Sequence, residues 1–357
     1  MPTIHAPILR DLAVRLFEAA GVPGGEATIV ADHLVGANLR GHDSHGVMRI
    51  AQYIDFLNKG TYKPGVELRI KSEAPGVVVA DGQMGLGPVQ AHRLLALVIP
   101  KARELGVASG VMTSVGHIGR LGEYAEKAAE QGLILIASVN NNGAGQRVAP
   151  PGGLAGRLGT NPLCAAVPTE GNPVVLDFGT SAVAEGKVRG YYFNDRKPVP
   201  EGWLLDTHGQ PTTDPSVLYE APMGSIRPMG GDQAYKGFGL ALVLDMLTGG
   251  LSGGRSSYPG AGAANSNNVV FIVLDPARFA GSEALVREAS GVARYVRETP
   301  RAEGVSAVLL PGDPERNMLE YRTIQGIPLE TGHWARLAEV ATNLGVALPD
   351  ESHIAAI

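Results

Sequence analysis

Between residues 77 and 274 the chain alternates short, β-branched apolar runs with longer stretches of helical period, and this alternation limits its fold more than any other feature. Residues 77–80 (Val-Val-Val-Ala) form a β run closed by Asp81-Gly82. Residues 88–105 read as a helix, 106–113 as a strand, 122–131 as a helix and 133–139 as a strand. Further strands are expected at 163–168, 174–178 and 269–274, with a turn-rich stretch at 140–161. Strands interleaved with helices bury their apolar faces against one another in layers, so the class is α/β.

Helices flank this region on both sides. Ile8, Leu12, Leu16 and Ala19 recur at helical spacing over 7–20, with Gly21 as the stop, and Ile29, Ala31, Leu34 and Ala37 do the same over 25–39. A third helix spans 47–58, and two more cover 313–325 and 330–344. An apolar helix at 234–251 carries Gly237 and Gly239 in its first turn. Glycine is costly inside a helix, so a ligand or another element is expected to approach that turn.

Composition removes several classes of function. At 44% hydrophobic and 18% charged residues the chain is globular. Its net charge of -5 comes from mixed signs, with no basic stripe for nucleic acid or an anionic membrane. Cys164 is the single cysteine, which excludes an internal disulfide and a cysteine-based zinc site and suits a reducing cytoplasm. No basic segment followed by an apolar run opens the chain, and the apolar stretch at 238–247 is short and holds Asp245. Neither a signal peptide nor a membrane span is expected.

Four segments carry candidate chemistry. A Rossmann Gly-x-Gly-x-x-Gly turn with its downstream acid is missing, but Gly116-His-Ile-Gly119-Arg-Leu-Gly122 joins a strand to a helix. Such a turn can bring a phosphate to helix N-terminal N–H groups, or it can be a plain structural turn. His117 within it is suited to exchange a proton with an alkoxide near neutral pH, or to bond a loop backbone. In the second segment, a helix starting near Ser44 would put His45, Arg49 and Tyr53 on one face, four residues apart. Arginine and tyrosine there suit a small carboxylate; a solvated helix face is the alternative. The third comprises Leu158-Gly-Thr-Asn-Pro162 and Asp177-Phe-Gly-Thr-Ser181, polar turns beside apolar strands that could hold ribose or phosphate. The fourth is Lys236, at a helix N-terminus where a cation is disfavoured unless an anion is present.

Taken in order, the Asp43-Ser-His-Gly turn with Arg49, His117-Ile-Gly-Arg120, Gly152-Gly153, Leu158 to Pro162, Asp177 to Ser181, Lys236-Gly-Phe-Gly and Leu310-Pro-Gly-Asp313 resemble the malate/L-lactate dehydrogenase family, over residues 5–345. Its hydroxycarboxylate dehydrogenase branch looks nearest. The resemblance implies a non-Rossmann nicotinamide-binding α/β fold with a helical region built from both chain ends. It implies a helical substrate region at 1–75, a cofactor-binding domain at 76–304 and C-terminal helices at 305–357 that pack with the first region. It also implies a homodimer using NAD, or NADP, to interconvert a small 2-hydroxy acid and its 2-keto acid.

By the same resemblance His117 is the acid/base, with Ser44 and His45 beside it in the catalytic site, and Arg49, Tyr53 and Asn141 hold the substrate. Arg120, Leu121, Gly122, Asp177, Phe178, Gly179, Thr180, Ser181, Lys236, Asn267, Gly312, Asp313, Pro314 and Glu315 face the cofactor. No residue cluster has metal spacing. Malate, lactate and larger hydroxycarboxylates all suit the site. So does the imine of a cyclic ketimine carboxylate, and a non-catalytic cofactor-binding homologue is the third alternative.

Overall fold

The computed structural model describes residues 2–193, 196–260 and 266–349, and the backbone of 354–356. In chain order it contains β1 (Pro2–Ile4), α1 (Ala6–Ala19), α2 (Gly24–Leu39), α3 (Ile50–Asn58), β2 (Arg69–Ala74), β3 (Val77–Asp81), α4 (Gly87–Leu105) and β4 (Val107–Val115). There follow α5 (Gly122–Ala129), β5 (Ile134–Asn140), β6 (Leu163–Val167), β7 (Val174–Phe178), α6 (Glu185–Phe193), β8 (Leu204–Leu205), β9 (Pro211–Thr212) and β10 (Ser225–Ile226). The last third holds α7 (Ala234–Ser252), β11 (Asn267–Leu274), α8 (Ser282–Arg297), α9 (Asp313–Gln325), β12 (Ile327–Pro328), α10 (Thr331–Leu344) and β13 (Ile354–Ala356).

The helical spacing read at both chain ends converges on one core. Leu9, Leu12, Leu16 and Phe17 of α1 and Val30 and Leu34 of α2 pack with Ile50 and Ile54 of α3 and with Leu337 and Ala341 of α10. Strand β1 lies between β12 and β13, antiparallel to both, and ties the two ends together. Of the expected C-terminal region, residues 350–353 and 357 lie outside the described residues.

The α/β region is built on a seven-stranded mixed sheet, order β2-β3-β4-β11-β5-β6-β7. Within it β3 and β4 pair in parallel, joined by α4, while the other neighbours run antiparallel. Alternate side chains serve opposite faces. Leu135 and Ala137 of β5 join the apolar core with α4 and α5, whereas Ser138 on the other face hydrogen-bonds Thr248 of α7. That second face is polar at depth. The carboxylate of Asp245, 2% exposed, accepts from Asn140 and Asn161 side chains at 3.1 and 3.3 Å and from Ser257 N at 2.7 Å.

The first turn of α7 explains half of its glycine pair. A Cβ on Gly237 would lie 2.3 Å from the Met229 carbonyl oxygen, so another element does press on that turn; Gly239 meets nothing within 4 Å. A third cluster, with Val148, Leu158, Val188, Leu204 and Ile226, gathers around the small sheet β10-β8-β9. Among the described residues no helix is long and apolar enough to cross a membrane.

Candidate active site

The helix expected from residue 47 is shorter and interrupted. Asp43–His45 and Val47–Arg49 are separate 3-10 turns, divided at Gly46, and α3 begins at Ile50. The face shared by His45, Arg49 and Tyr53 is therefore not a regular helical stripe. Gly46 breaks it because the Asn38 amide sits where a Cβ would go, 2.1 Å away at its oxygen.

His117 follows β4, and its backbone is pinned before its ring is placed. Tyr62 Oη accepts the His117 N–H at 2.9 Å, and Asn267 Oδ1 accepts that of Ile118 at 3.0 Å. A Cβ on Gly87 would lie 2.1 Å from the His117 carbonyl oxygen, so only glycine fits against this loop. The ring is stacked on His45 at 5.4 Å and meets Tyr53 edge-on at 6.0 Å. His117 Nδ1 is 2.7 Å from Tyr53 Oη, which also donates to the His117 carbonyl at 3.2 Å. The one phenol proton serves either the carbonyl or Nδ1; in the tautomer where it goes to the carbonyl, Nδ1–H donates to Tyr53 and Nε2 keeps its lone pair.

Tyr53 is thus corrected in position. It is fully buried, does not line the cavity, and has its hydroxyl against His117. Burial, with Tyr62 nearby, pushes its phenol well up, which keeps it a neutral partner. Tyr62, which does line the cavity, is pushed up to about 12, chiefly by burial.

His117 opens on a cavity of about 390 Å³, with Arg49, His45, Gln52, Asn141, Arg147, Glu185, Arg189 and Asn267 in its wall. Arg49 donates through Nε to the Ser44 carbonyl at 2.7 Å and through Nη1 to Gln52 at 2.8 Å, both neutral acceptors. Its Nη2 edge passes Gly186, where an added Cβ would lie 3.4 Å from it. Both imidazoles sit deep in the fold although they touch the cavity. Burial, then the Arg49 charge, lowers His117 well below the ordinary histidine value and His45 to about 3. Both rings are therefore neutral at pH 7. Gln52, Arg147, Glu185 and Arg189 were not singled out from the sequence, because none stands in a motif.

A second cavity, about 1170 Å³, shares His45, Gly119, Thr160, Pro162, Ala184 and Gly186 with the first. Of the residues expected at a cofactor, Arg120, Leu121, Asp177, Phe178, Gly179, Ser181, Pro314 and Glu315 line it, with Ser44 beside them. Others are placed elsewhere. The Gly122 N–H, expected to be open to a phosphate, donates to Asp177 Oδ2 at 2.7 Å, so the start of α5 is already capped by a carboxylate. Thr180 is buried and bonds the Thr160 and Asn161 carbonyls. Asn267 lines the smaller cavity, and its amide bonds the Asn140 carbonyl and Asn141 Oδ1. Asp313 pairs with Arg297 and Arg316, and Gly312 caps α9; neither reaches the cavity. Lys236 is exposed at the start of α7, with its ammonium over the Tyr235 ring at 5.9 Å, and lines neither cavity of its own chain.

Behind the loop that follows His117 lies a buried cluster absent from the sequence reading. His33 Nε2 accepts the Arg120 N–H at 2.9 Å, which leaves Nδ1 protonated and 2.7 Å from Glu123 Oε2. His92 and Lys127 bond the other Glu123 oxygen, each at 2.9 Å. The ligand atoms of His33, His92 and Glu123 lie within 4.8 Å of one another, a metal-like grouping. Yet the His33 lone pair faces an N–H, and the Lys127 ammonium supplies the cation. The cluster holds the loop. Gly119 fits over His33 only because it has no side chain: its Cβ would lie 1.9 Å from His33 Nε2, at φ +72°. Gly119→Ala is expected to destabilise the fold by about 2–4 kcal/mol, from positive φ plus overpacking, and urea titration with an unchanged midpoint would refute it.

A family model described as malate/L-lactate dehydrogenase matches residues 4–338. Hydroxycarboxylate dehydrogenase B of Escherichia coli (strain K12) is 36% identical over 352 residues, covering 97% of this chain and 95% of that protein. The structure of malate dehydrogenase from Pyrococcus horikoshii OT3 superposes with a TM-score of 0.87 at 30% identity, covering 97% of each chain. That of delta1-piperideine-2-carboxylate reductase from Pseudomonas syringae pvar. tomato gives 0.81 at 29% identity, over 96% of this chain and all of that one (100%).

Proposed function

This chain belongs to the malate/L-lactate dehydrogenase family, and on that premise we propose that it oxidises a 2-hydroxy acid to its 2-keto acid, reversibly, with NAD or NADP. One observation carries the reading. A small cavity holding a neutral imidazole and a guanidinium edge adjoins, across shared lining residues, one large enough for a dinucleotide. Drug-sized sites run to roughly 1,000 Å³, and the larger cavity exceeds that. Its donor set also fits: the Lys187 and Lys197 ammoniums suit phosphates, and the Asp177 and Glu315 carboxylates suit ribose hydroxyls. NAD(P), when bound, supplies the hydride acceptor. Among the described residues the sheet has one parallel pair and no doubly wound crossover, so the site is read as non-Rossmann.

In oxidation, Arg49 holds the carboxylate and Nε2 of His117 takes the hydroxyl proton, while C2 gives up its hydride. Tyr53 keeps the imidazole in the tautomer that leaves Nε2 free. In reduction the proton returns to the carbonyl oxygen, so the imidazole must first be charged. Exposed Val243, Met246, Leu247 and Leu251 on α7 support a homodimer, which sedimentation would read as twice the chain mass.

The deciding assay is a panel of 2-keto acids with NADH and NADPH, and the cyclic imine of piperideine-2-carboxylate beside them. Turnover of at least one keto acid is expected, and its absence would end the reading; a preference for the imine would favour the reductase alternative suggested by the structural likeness. The pH profile has a fixed sign. Because the free-enzyme imidazole titrates below 6.5, kcat/KM for reduction should fall about tenfold per pH unit above neutrality. Oxidation should hold over the same range and fail only in acid; the opposite slopes would exclude His117.

A further inference from the structure

We infer that the smaller cavity contains a second anion site, built on Arg147 and Asn141, and that the substrate is a 2-keto acid bearing a second acidic group. This rests on the dehydrogenase reading and names its substrate class.

Three guanidiniums, of Arg49, Arg147 and Arg189, line the cavity, against the single carboxylate of Glu185. Arg189 is spoken for: its Nε and Nη2 both donate to Glu185 Oε1, at 3.2 and 3.0 Å, and Tyr219 Oη donates to the same oxygen at 2.9 Å. The two cavity imidazoles, lowered by burial, add no charge. Two cations are left, and they differ in origin. Arg49 comes from the helical region and takes the carboxylate next to the reacting carbon.

Arg147 comes from the loop after β5. Its backbone is fixed on both sides, by Arg147 N to the Leu158 carbonyl at 2.9 Å and Ile226 N to the Arg147 carbonyl at 2.8 Å. Its side chain makes one hydrogen bond, from Nη1 to the Leu218 carbonyl at 2.8 Å, and no carboxylate pairs with it among the described residues. A half-buried guanidinium held by a single neutral acceptor calls for an anion. Asn141, on the same loop, lines the same cavity. Its Oδ1 is occupied by Asn267 at 3.0 Å, so the free end is a donor, and it faces Gly145, where a Cβ would lie 2.5 Å from Nδ2. A monocarboxylate such as pyruvate satisfies Arg49 and leaves Arg147 unmatched. A dianion satisfies both.

The test compares kcat/KM for pyruvate, oxaloacetate, 2-oxoglutarate and sulfopyruvate in the intact enzyme and in Arg147→Gln and Arg147→Lys. One of the diacids should exceed pyruvate by at least about tenfold, as expected for one charge-assisted contact. Arg147→Gln should lower that diacid about 10–100-fold and leave pyruvate within about threefold, and Arg147→Lys should restore part of the loss. Two outcomes overturn the inference alone: pyruvate used as well as every diacid, or an equal loss on all substrates in Arg147→Gln. Failure to reduce any keto acid overturns the dehydrogenase reading, and the inference with it.

Discussion

His117→Ala is expected to lower kcat about 10²–10⁴-fold, the usual worth of a positioned acid/base, while the dinucleotide still binds. The fold should tolerate the change. The loop is held by backbone bonds to Tyr62, Asn267 and His33, none of which uses the imidazole. Tyr53 loses Nδ1 but keeps the residue-117 carbonyl as its acceptor. The cofactor cavity is lined by other residues, so quenching of protein fluorescence by NADH should titrate as before. Added imidazole should recover part of the rate by filling the space between His45 and Tyr53. A variant turning over at the parent rate would remove His117 from the chemistry, and with it the tautomer argument for Tyr53.

Truncating Arg49 comes next in size. Arg49→Ala should cut kcat/KM for every 2-keto acid about 10²–10⁴-fold, as breaking one side of a buried ion pair costs about 3–5 kcal/mol. Lysine should not rescue it, since an ammonium cannot reproduce the fork that bonds Ser44 and Gln52 while presenting an edge to the cavity. The pattern across substrates separates the two arginines. Arg49 variants should lose pyruvate and the diacids alike, whereas Arg147 variants should lose only the diacids. The same truncation removes a positive charge close to His117, so the imidazole should titrate higher, and the reductive pH profile should move up with it. An Arg49→Ala enzyme with ordinary kinetics would take the carboxylate away from this residue.

The elements were legible where local pattern decides them. The helical spacing at both chain ends and the alternation between residues 77 and 274 correspond to observed helices and strands. Missing from that reading were the short strands β1, β12 and β13, of two or three residues each, which carry no periodic signal, and also β2 at the sheet edge, α6 and the 16-residue α8. The break at Gly46 was missed because its cause, Asn38, lies on another element. In the site, motif residues His117, Arg49, His45 and Asn141 meet at one cavity, and Asp177 to Gly179 and Ser181 at the other. Tyr53, Gly122 and Lys236 line neither cavity of the chain, since spacing says which residues are near in sequence but not which atom is already bonded.

The amino-acid order alone determined the class of fold, the helical ends and the small set of polar residues worth watching, because periodicity and turn chemistry act over a few residues. Only the folded chain decided which nitrogen of His117 is open, that Asp177 caps α5, and that Arg147 lines the cavity with no paired carboxylate among the described residues. Those are properties of hydrogen bonds and charges between segments 55 to 71 residues apart, and a lone pair is committed or free only once its neighbours have arrived.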